Sequence, residues 1–184
     1  MGTIYQTTMT PSKNELLTRW LPQQDFYCGQ GQPELVDAGG FRLEDPAGKV
    51  GLEFRIMADR RPEGETIYAL PMSYREAPLE GAEASLIGTS EHGVLGTRYI
   101  YDAAGDPLWH RVVADLVAGR CVPQHQQESD TEEPRVRLIS VSGTERTGQI
   151  CRVLSSTPVT GAYVEGFWYD ASGRERRGAL LSLS

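Results

Sequence analysis

The sequence predicts an α+β fold: an antiparallel sheet packed on a helix, a second helix, and an antiparallel β region at the C-terminal end. Three observations carry that prediction. Short β-branched and aromatic runs are bounded by turn residues, as strands are. Only residues 13–21 and 108–118 repeat apolar side chains at helical spacing. The strand-like runs follow one another across short turns, which is how hairpins and meanders are connected.

Residues 3–9 are β-branched and aromatic and read as a strand. A helix follows, with two lawful starts. Ser12 with Glu15 forms a capping box, in which the hydroxyl and the carboxylate satisfy two backbone donors reciprocally. Thr10 as N-cap with Pro11 at the first helical position serves equally well. Leu16, Leu17, Trp20 and Leu21 share one face, and Pro22 ends the run. A helix of about ten residues is unstable alone, so it must pack on the sheet.

Residues 35–43 and 50–57 read as a hairpin closed by the turn 44–48, with Gly39-Gly40 marking a bulge or sharp bend. Residues 59–64 form a second turn. Residues 66–74 form a strand in which Pro71 points to an edge or a bulge. Residues 89–93 read as a turn and 94–101 as a strand. Asp106-Pro107 opens the second helix, with Asp as N-cap and Pro at the first helical position. Leu108, Val112, Val113, Leu116 and Val117 line its apolar side, and Gly119 suits the position after its end.

Residues 122–134 change character. Gln124, Gln126, Gln127, Glu128, Asp130, Glu132 and Glu133 are expected to bury nothing, which makes this a linker or mobile loop. Beyond it, residues 136–141, 149–154, 162–169 and 177–183 read as four strands of a meander, turning at 143–148 and 170–173. The chain therefore divides into an α+β region (1–120), a polar linker (121–134) and a C-terminal β region (135–184).

Composition excludes several functions. The net charge of −7 argues against a nucleic-acid surface, which needs clustered cations. Arg174, Arg176 and Arg177 form the one basic cluster and read as a solvated strand face. No apolar run approaches the about 18 residues of a transmembrane helix, and residues 1–5 lack a signal peptide's basic and apolar regions. Cys28, Cys121 and Cys151 are odd in number and make no Cys-x-x-Cys pair, so they read as reduced thiols of a cytoplasmic protein.

Chemical motifs are sparse. His92 beside Glu91 could act in acid–base chemistry, but neighbours on an extended chain point opposite ways. His92, His110 and His125 are too dispersed to hold a metal. No nucleophile elbow occurs. The segment 143–148 loosely resembles a phosphate loop, yet it lacks the lysine and joins two strands. Trp20, Phe26 and Tyr27, and later Phe167, Trp168 and Tyr169, could stack on a sugar, although core packing accounts for both groups. Phe167 and Tyr169 must share one face of their strand, with Trp168 on the other. No catalytic, cofactor-binding or metal-binding residue is identified.

Leu16-Leu17-Thr18-Arg19-Trp20-Leu21-Pro22, the Phe26-Tyr27 pair with Gly29, and Tyr68-Ala69-Leu70-Pro71-Met72-Ser73-Tyr74 stand in one order along the chain. They are followed by a denser block from Ile87 through Glu91-His92-Gly93 to Asp106-Pro107. Together they resemble the N-terminal cap region of actinobacterial maltokinases, over roughly residues 4–120. The resemblance implies a cystatin-like fold, a curved antiparallel sheet around a helix. In the kinases this cap precedes the nucleotide-binding lobe. Their catalytic residues do not carry over. His92, His110 and His125 are followed two positions on by Val94, Val112 and Gln127, so no His-x-Asp loop exists, and no lysine follows Lys49.

The resulting expectation is a non-catalytic cap-like protein of α-glucan, maltose or trehalose metabolism that needs no cofactor and binds a partner or ligand. The partner would be a kinase, another α-glucan-metabolism protein, or a second copy of the chain. The expected interface comprises Glu91, His92, Val94, Leu95, Tyr99, Tyr101 and Trp109. It is open if no further segment covers it, and closed if the C-terminal strands fold over it. The alternative is a small sugar- or nucleotide-binding protein, or an enzyme of sugar metabolism, using the concave face of the sheet.

Overall fold

The computed structural model describes residues 8–140 and 147–184. In chain order the elements are β1 (Met9–Thr10), α1 (Lys13–Trp20), β2 (Leu35–Leu43), β3 (Gly51–Arg61), β4 (Gly64–Arg75), β5 (Leu86–His92) and β6 (Gly96–Asp102). There follow α2 (Pro107–Val117), β7 (Gln124–His125), β8 (Arg137–Ile139), β9 (Gly148–Ile150), β10 (Ala162–Tyr169) and β11 (Glu175–Leu183). Seven strands form a strongly curled antiparallel half-barrel in the order β1-β5-β6-β4-β3-β2-β7, and four form a second antiparallel sheet in the order β8-β10-β11-β9. The class is α+β, as the sequence predicts.

The choice of helix start is settled in favour of Ser12. Its hydroxyl accepts from the Glu15 amide at 3.2 Å while the Glu15 carboxylate accepts from the Ser12 amide at 2.7 Å. The α-helix ends at Trp20 and tightens into a 3₁₀ turn over Leu21–Gln23, because Pro22 cannot continue it. Asp106 caps α2, accepting from the Leu108 amide at 2.9 Å, and Gly119 follows the helix with φ +70.

Alternation along β3 builds the two faces of the half-barrel. Phe54 and Ile56 enter a core with Phe41, with Trp109, Val112 and Leu116 of α2, and with Val164, Trp168 and Leu180 of the second sheet. Met57 faces the other way, into a core made by Leu16, Leu17, Trp20 and Leu21 with Tyr68, Leu70, Met72 and Ile100. Glu53, Arg55 and Asp59 share the parity of Met57, so charged groups run down the α1 face. The β2–β3 register slips between Asp37 and Gly39, the bulge that Gly39-Gly40 predicts. Gly39 also lets β10 approach, since a Cβ there would sit 3.1 Å from the Phe167 carbonyl oxygen.

Pro71 lies in neither a bulge nor an outer strand. Ala69 donates its N–H to Arg152 O at 2.9 Å, away from β3, so the Pro71 nitrogen, two residues on, faces that side too. There β6 pairs only with Met72–Arg75, and the segment around Val153 pairs at Tyr68. Pro71 occupies the interval between the two partners, where no amide is required.

Several expectations need correction. Residues 86–92 form strand β5, with the turn at 93–95; Gly88 and polar Thr89, Ser90 and Glu91 hide the strand pattern. The strand expected at 3–9 is described only at its end, where β1 starts at Met9. Residues 143–146 of the expected turn 143–148 and residue 141 of the expected strand 136–141 lie outside the described residues. Residues 122–134 do bury polar groups. Glu133 is 2% exposed, held by Arg135 at 2.7 Å, and β7 pairs with β2 at Phe41 and Arg42. The reason is that Arg42 supplies donors the sequence pattern does not announce: its guanidinium donates to the carbonyls of His125 and Glu128. In the second sheet, consecutive pairing holds for β10–β11, while β8 and β9 take the two edges. No helix among the described residues is long and apolar enough to cross a membrane.

Candidate functional site

Where α1 stops covering its face of the half-barrel, a cleft of about 890 Å³ opens beside its first residue. Among the groups that line it is Glu53 of β3, which is 7% exposed. One carboxylate oxygen accepts from Lys13 Nζ at 2.7 Å and from the Tyr74 hydroxyl at 2.5 Å. The other accepts from the side-chain amide of Gln126 at 2.8 Å. Three separate parts of the chain thus meet on one carboxylate: the start of α1, strand β4, and the segment after β7. Lys13 also lies 4.9 Å from the centre of the Tyr74 ring.

The electrostatics follow from this arrangement. Burial alone would raise the Glu53 pKa. The charges of Lys13 and Arg55, and the hydrogen bonds from Lys13 and Tyr74, outweigh it and hold the group at about 2. Burial and the neighbouring Glu53 charge push the Tyr74 phenol well above its usual value, so it remains a donor. Asp45, on the β2–β3 loop at the rim, is raised by burial and lowered further by accepting from the amides of Ala47, Lys49 and Val50. His92, on the opposite rim, is lowered by burial and then by the Arg98 and Lys13 charges, which favours the neutral ring. Its Nδ1 accepts from the Leu95 amide at 3.1 Å.

Charges of both signs line the cleft. Lys13, Arg42, Lys49 and Arg98 are the cations, and the chain's two lysines are both among them. Glu44, Asp45, Glu53 and Glu76 are the anions. Arg98 donates one guanidinium nitrogen to Leu95 O at 2.8 Å, and its buried Nε finds no acceptor among the described residues. Among the described residues no three of His, Cys, Asp and Glu gather as a metal site requires.

The residues expected to form an interface separate into two groups. Val94 is 61% exposed and Leu95 40% exposed at the β5–β6 turn. Glu91 accepts from Thr97 Oγ1 nearby, His92 bonds the turn, and Tyr99 is half-buried. Tyr101 and Trp109 are buried and form no part of an exposed surface. Tyr101 accepts from the Leu79 amide through its hydroxyl, under the loop that precedes β5. Trp109 packs against Phe54 with ring centres 5.9 Å apart, beneath the second sheet. Its burial belongs to α2's apolar side, which helical spacing assigns to the core.

The aromatic groups behave as packing. Trp20 meets Phe26, and Trp168 points inward. Phe167 and Tyr169 share the outer face, where Arg135 stacks on Phe167 at 3.7 Å. Arg176 and Arg177 are paired with Asp170 and Glu175. The Glu53 cluster escaped the reading of the sequence. Its signal is the pair Glu53 and Arg55 set at alternate positions inside an otherwise apolar strand, a pattern that places two charges on a covered face.

Residues 20–106 match the family model of the maltokinase N-terminal cap domain, a span that runs from the end of α1 through β2–β6 to the N-cap of α2. No curated protein matches the chain, and no solved structure does.

Proposed function

We propose that this protein, in which residues 20–106 carry the maltokinase N-terminal cap domain match, is a non-catalytic cytoplasmic accessory of α-glucan, maltose or trehalose metabolism that acts by binding a partner. The observation behind this is the β5–β6 turn. It lies inside the matched span and presents Val94 and Leu95 to solvent, on a part of the sheet that α2 and the second sheet leave open. Exposed apolar side chains grouped with Glu91, His92 and Tyr99 make a contact surface with a polar rim. The partner is the catalytic body of a maltokinase-type kinase.

The test is titration of this protein against the catalytic body of a maltokinase from which the cap has been removed. Binding that weakens about tenfold or more in Val94→Glu/Leu95→Glu, with an unchanged circular dichroism spectrum, supports the reading. Equal binding by the variant overturns the interface. Phosphorylation of maltose by the purified protein, abolished by one of its own point mutations, overturns the non-catalytic role.

A second reading, that the concave face takes a small ligand, has the Glu53 cleft in its favour.

A further inference from the structure

We propose that the Glu53 cleft binds a neutral polyhydroxylated ligand, of roughly two or three sugar rings, whose hydroxyl groups displace the Gln126 amide from Glu53. This rests on the small-ligand reading above and names its ligand class; His92 and Leu95 belong both to the cleft wall and to the β5–β6 turn surface.

The floor is pre-built. A buried carboxylate is costly unless its partners are fixed. Lys13 and Tyr74 fix one oxygen of Glu53 from the helix and the sheet, at 2.7 and 2.5 Å. The other oxygen is held differently. Its partner Gln126 reaches in from the polar segment after β7, whose backbone is anchored without it. The His125 amide donates to Thr131 O at 2.7 Å, and Arg42 Nε donates to His125 O at 3.0 Å. Gln126 can therefore leave Glu53 by rotating its side chain, with the strap still in place. A ligand hydroxyl offers Glu53 the same donor that the amide does.

Charge decides the class of ligand. Four cations and four anions line the cleft, so its formal charges cancel and no net charge favours a phosphate-bearing ligand. Opposite charges are also interleaved: Lys13 sits directly on Glu53, and the Lys49 backbone amide bonds Asp45. That leaves no separate positive and negative ends for a zwitterion. A hydroxyl both donates and accepts, and a ring of them suits a wall that carries both kinds of partner. Arg98 adds a guanidinium to the cleft wall, held in place by its bond to Leu95 O at 2.8 Å. Met9, Leu95 and the ring of Tyr74 add apolar surface for the C–H faces of a sugar.

The experiment is calorimetric titration of the full chain with maltotriose, raffinose and ATP, with amide chemical-shift mapping to locate binding. The variants are Gln126→Ala and Arg98→Met, each checked for an unchanged melting temperature. At least one trisaccharide is expected to bind and to shift the amides of Glu53, Tyr74 and Gln126. Gln126→Ala tightens it about threefold or more by removing the competing amide, and Arg98→Met weakens it about tenfold. If ATP alone binds in the cleft, the neutral class is wrong and the small-ligand reading survives. If no probe shifts the cleft amides, both are wrong. Binding unchanged in both variants also overturns the proposal.

Discussion

Replacing Asp106 by alanine removes two supports at once. Asp106 is fully buried, caps α2 through the Leu108 amide at 2.9 Å, and takes both ends of the Arg75 guanidinium at 2.8 and 2.7 Å. Loss of the cap costs about 1 kcal/mol. Breaking a buried pair from one side costs roughly 3–5 kcal/mol. Arg75 keeps 21% of its side chain exposed, so water recovers part of that. The sum is about 3–5 kcal/mol, a large share of the roughly 5–15 kcal/mol that holds an ordinary protein folded. For a chain of this length it lowers Tm by about 6–20 °C. Urea unfolding followed by tryptophan fluorescence measures it, with Arg75→Met and the double variant completing a cycle. The double variant should lose clearly less than the two single losses together. A loss under about 1 kcal/mol for Asp106→Ala, or simple additivity in the cycle, refutes the pairing. Acid supplies an independent check. Burial opposes ionisation, but Arg75 and the Leu108 amide hold the carboxyl below its usual 3.8. Its contribution is complete above that value and is lost as pH falls through the lower folded value.

Trp20→Ala should cost about 3 kcal/mol, the lower end for a buried aromatic, because the ring is 7% exposed; urea unfolding measures it, and free access of acrylamide to Trp20 would refute the packing. Glu53→Gln should flatten the acid limb of stability. With the folded group at about 2 and the usual value 4.5, the wild type loses this contribution progressively from about pH 4.5 to about 2, and equal slopes in the two proteins count against it. The division into 1–120, 121–134 and 135–184 is a proposal that limited proteolysis checks. First cleavage should fall within residues 127–130, and the two pieces should stay associated through the shared core of Phe54, Trp109, Trp168 and Leu180. First cleavage between residues 35 and 74 would move the boundary.

Local chemistry was legible wherever one residue type settles a backbone problem. The Ser12–Glu15 box, the Asp106-Pro107 start, the Gly119 stop and the Gly39-Gly40 bulge all solve problems within a few residues of themselves. Strand β5 was not legible, because its Gly88 and alternate polar residues imitate a turn; pairing with β6 and β1 and the packing of Leu16 over Gly88 make it a strand. The polar segment 122–134 misled for a related reason. Its glutamines and glutamates read as solvated, while the donors that hold them, Arg42 and Arg135, are visible only once the chain is folded. The candidate cleft suffers most from this. Its floor joins residues 13, 53, 74 and 126, and no local pattern announces that they meet. The β5–β6 turn itself sits at residues 93–95 rather than at 89–93, and Tyr101 and Trp109 are buried by a loop and a sheet that the local pattern does not announce.

Pro71 acts as a fence on the outer edge of β4. On one side of it stands β6, and on the other the chain around Arg152 and Val153. Each tenant is bounded by a site that has nothing to donate, so neither can creep along the strand into the other's ground. A slip of β6 would set one of its carbonyls against a ring nitrogen without a hydrogen. One imino acid thereby marks the boundary between two distant parts of the chain that pair along the same strand. It also explains how a single strand can serve the matched span and the C-terminal region side by side: the two tenancies meet at a point where exchange is forbidden, so each can drift in sequence without disturbing the alignment of the other.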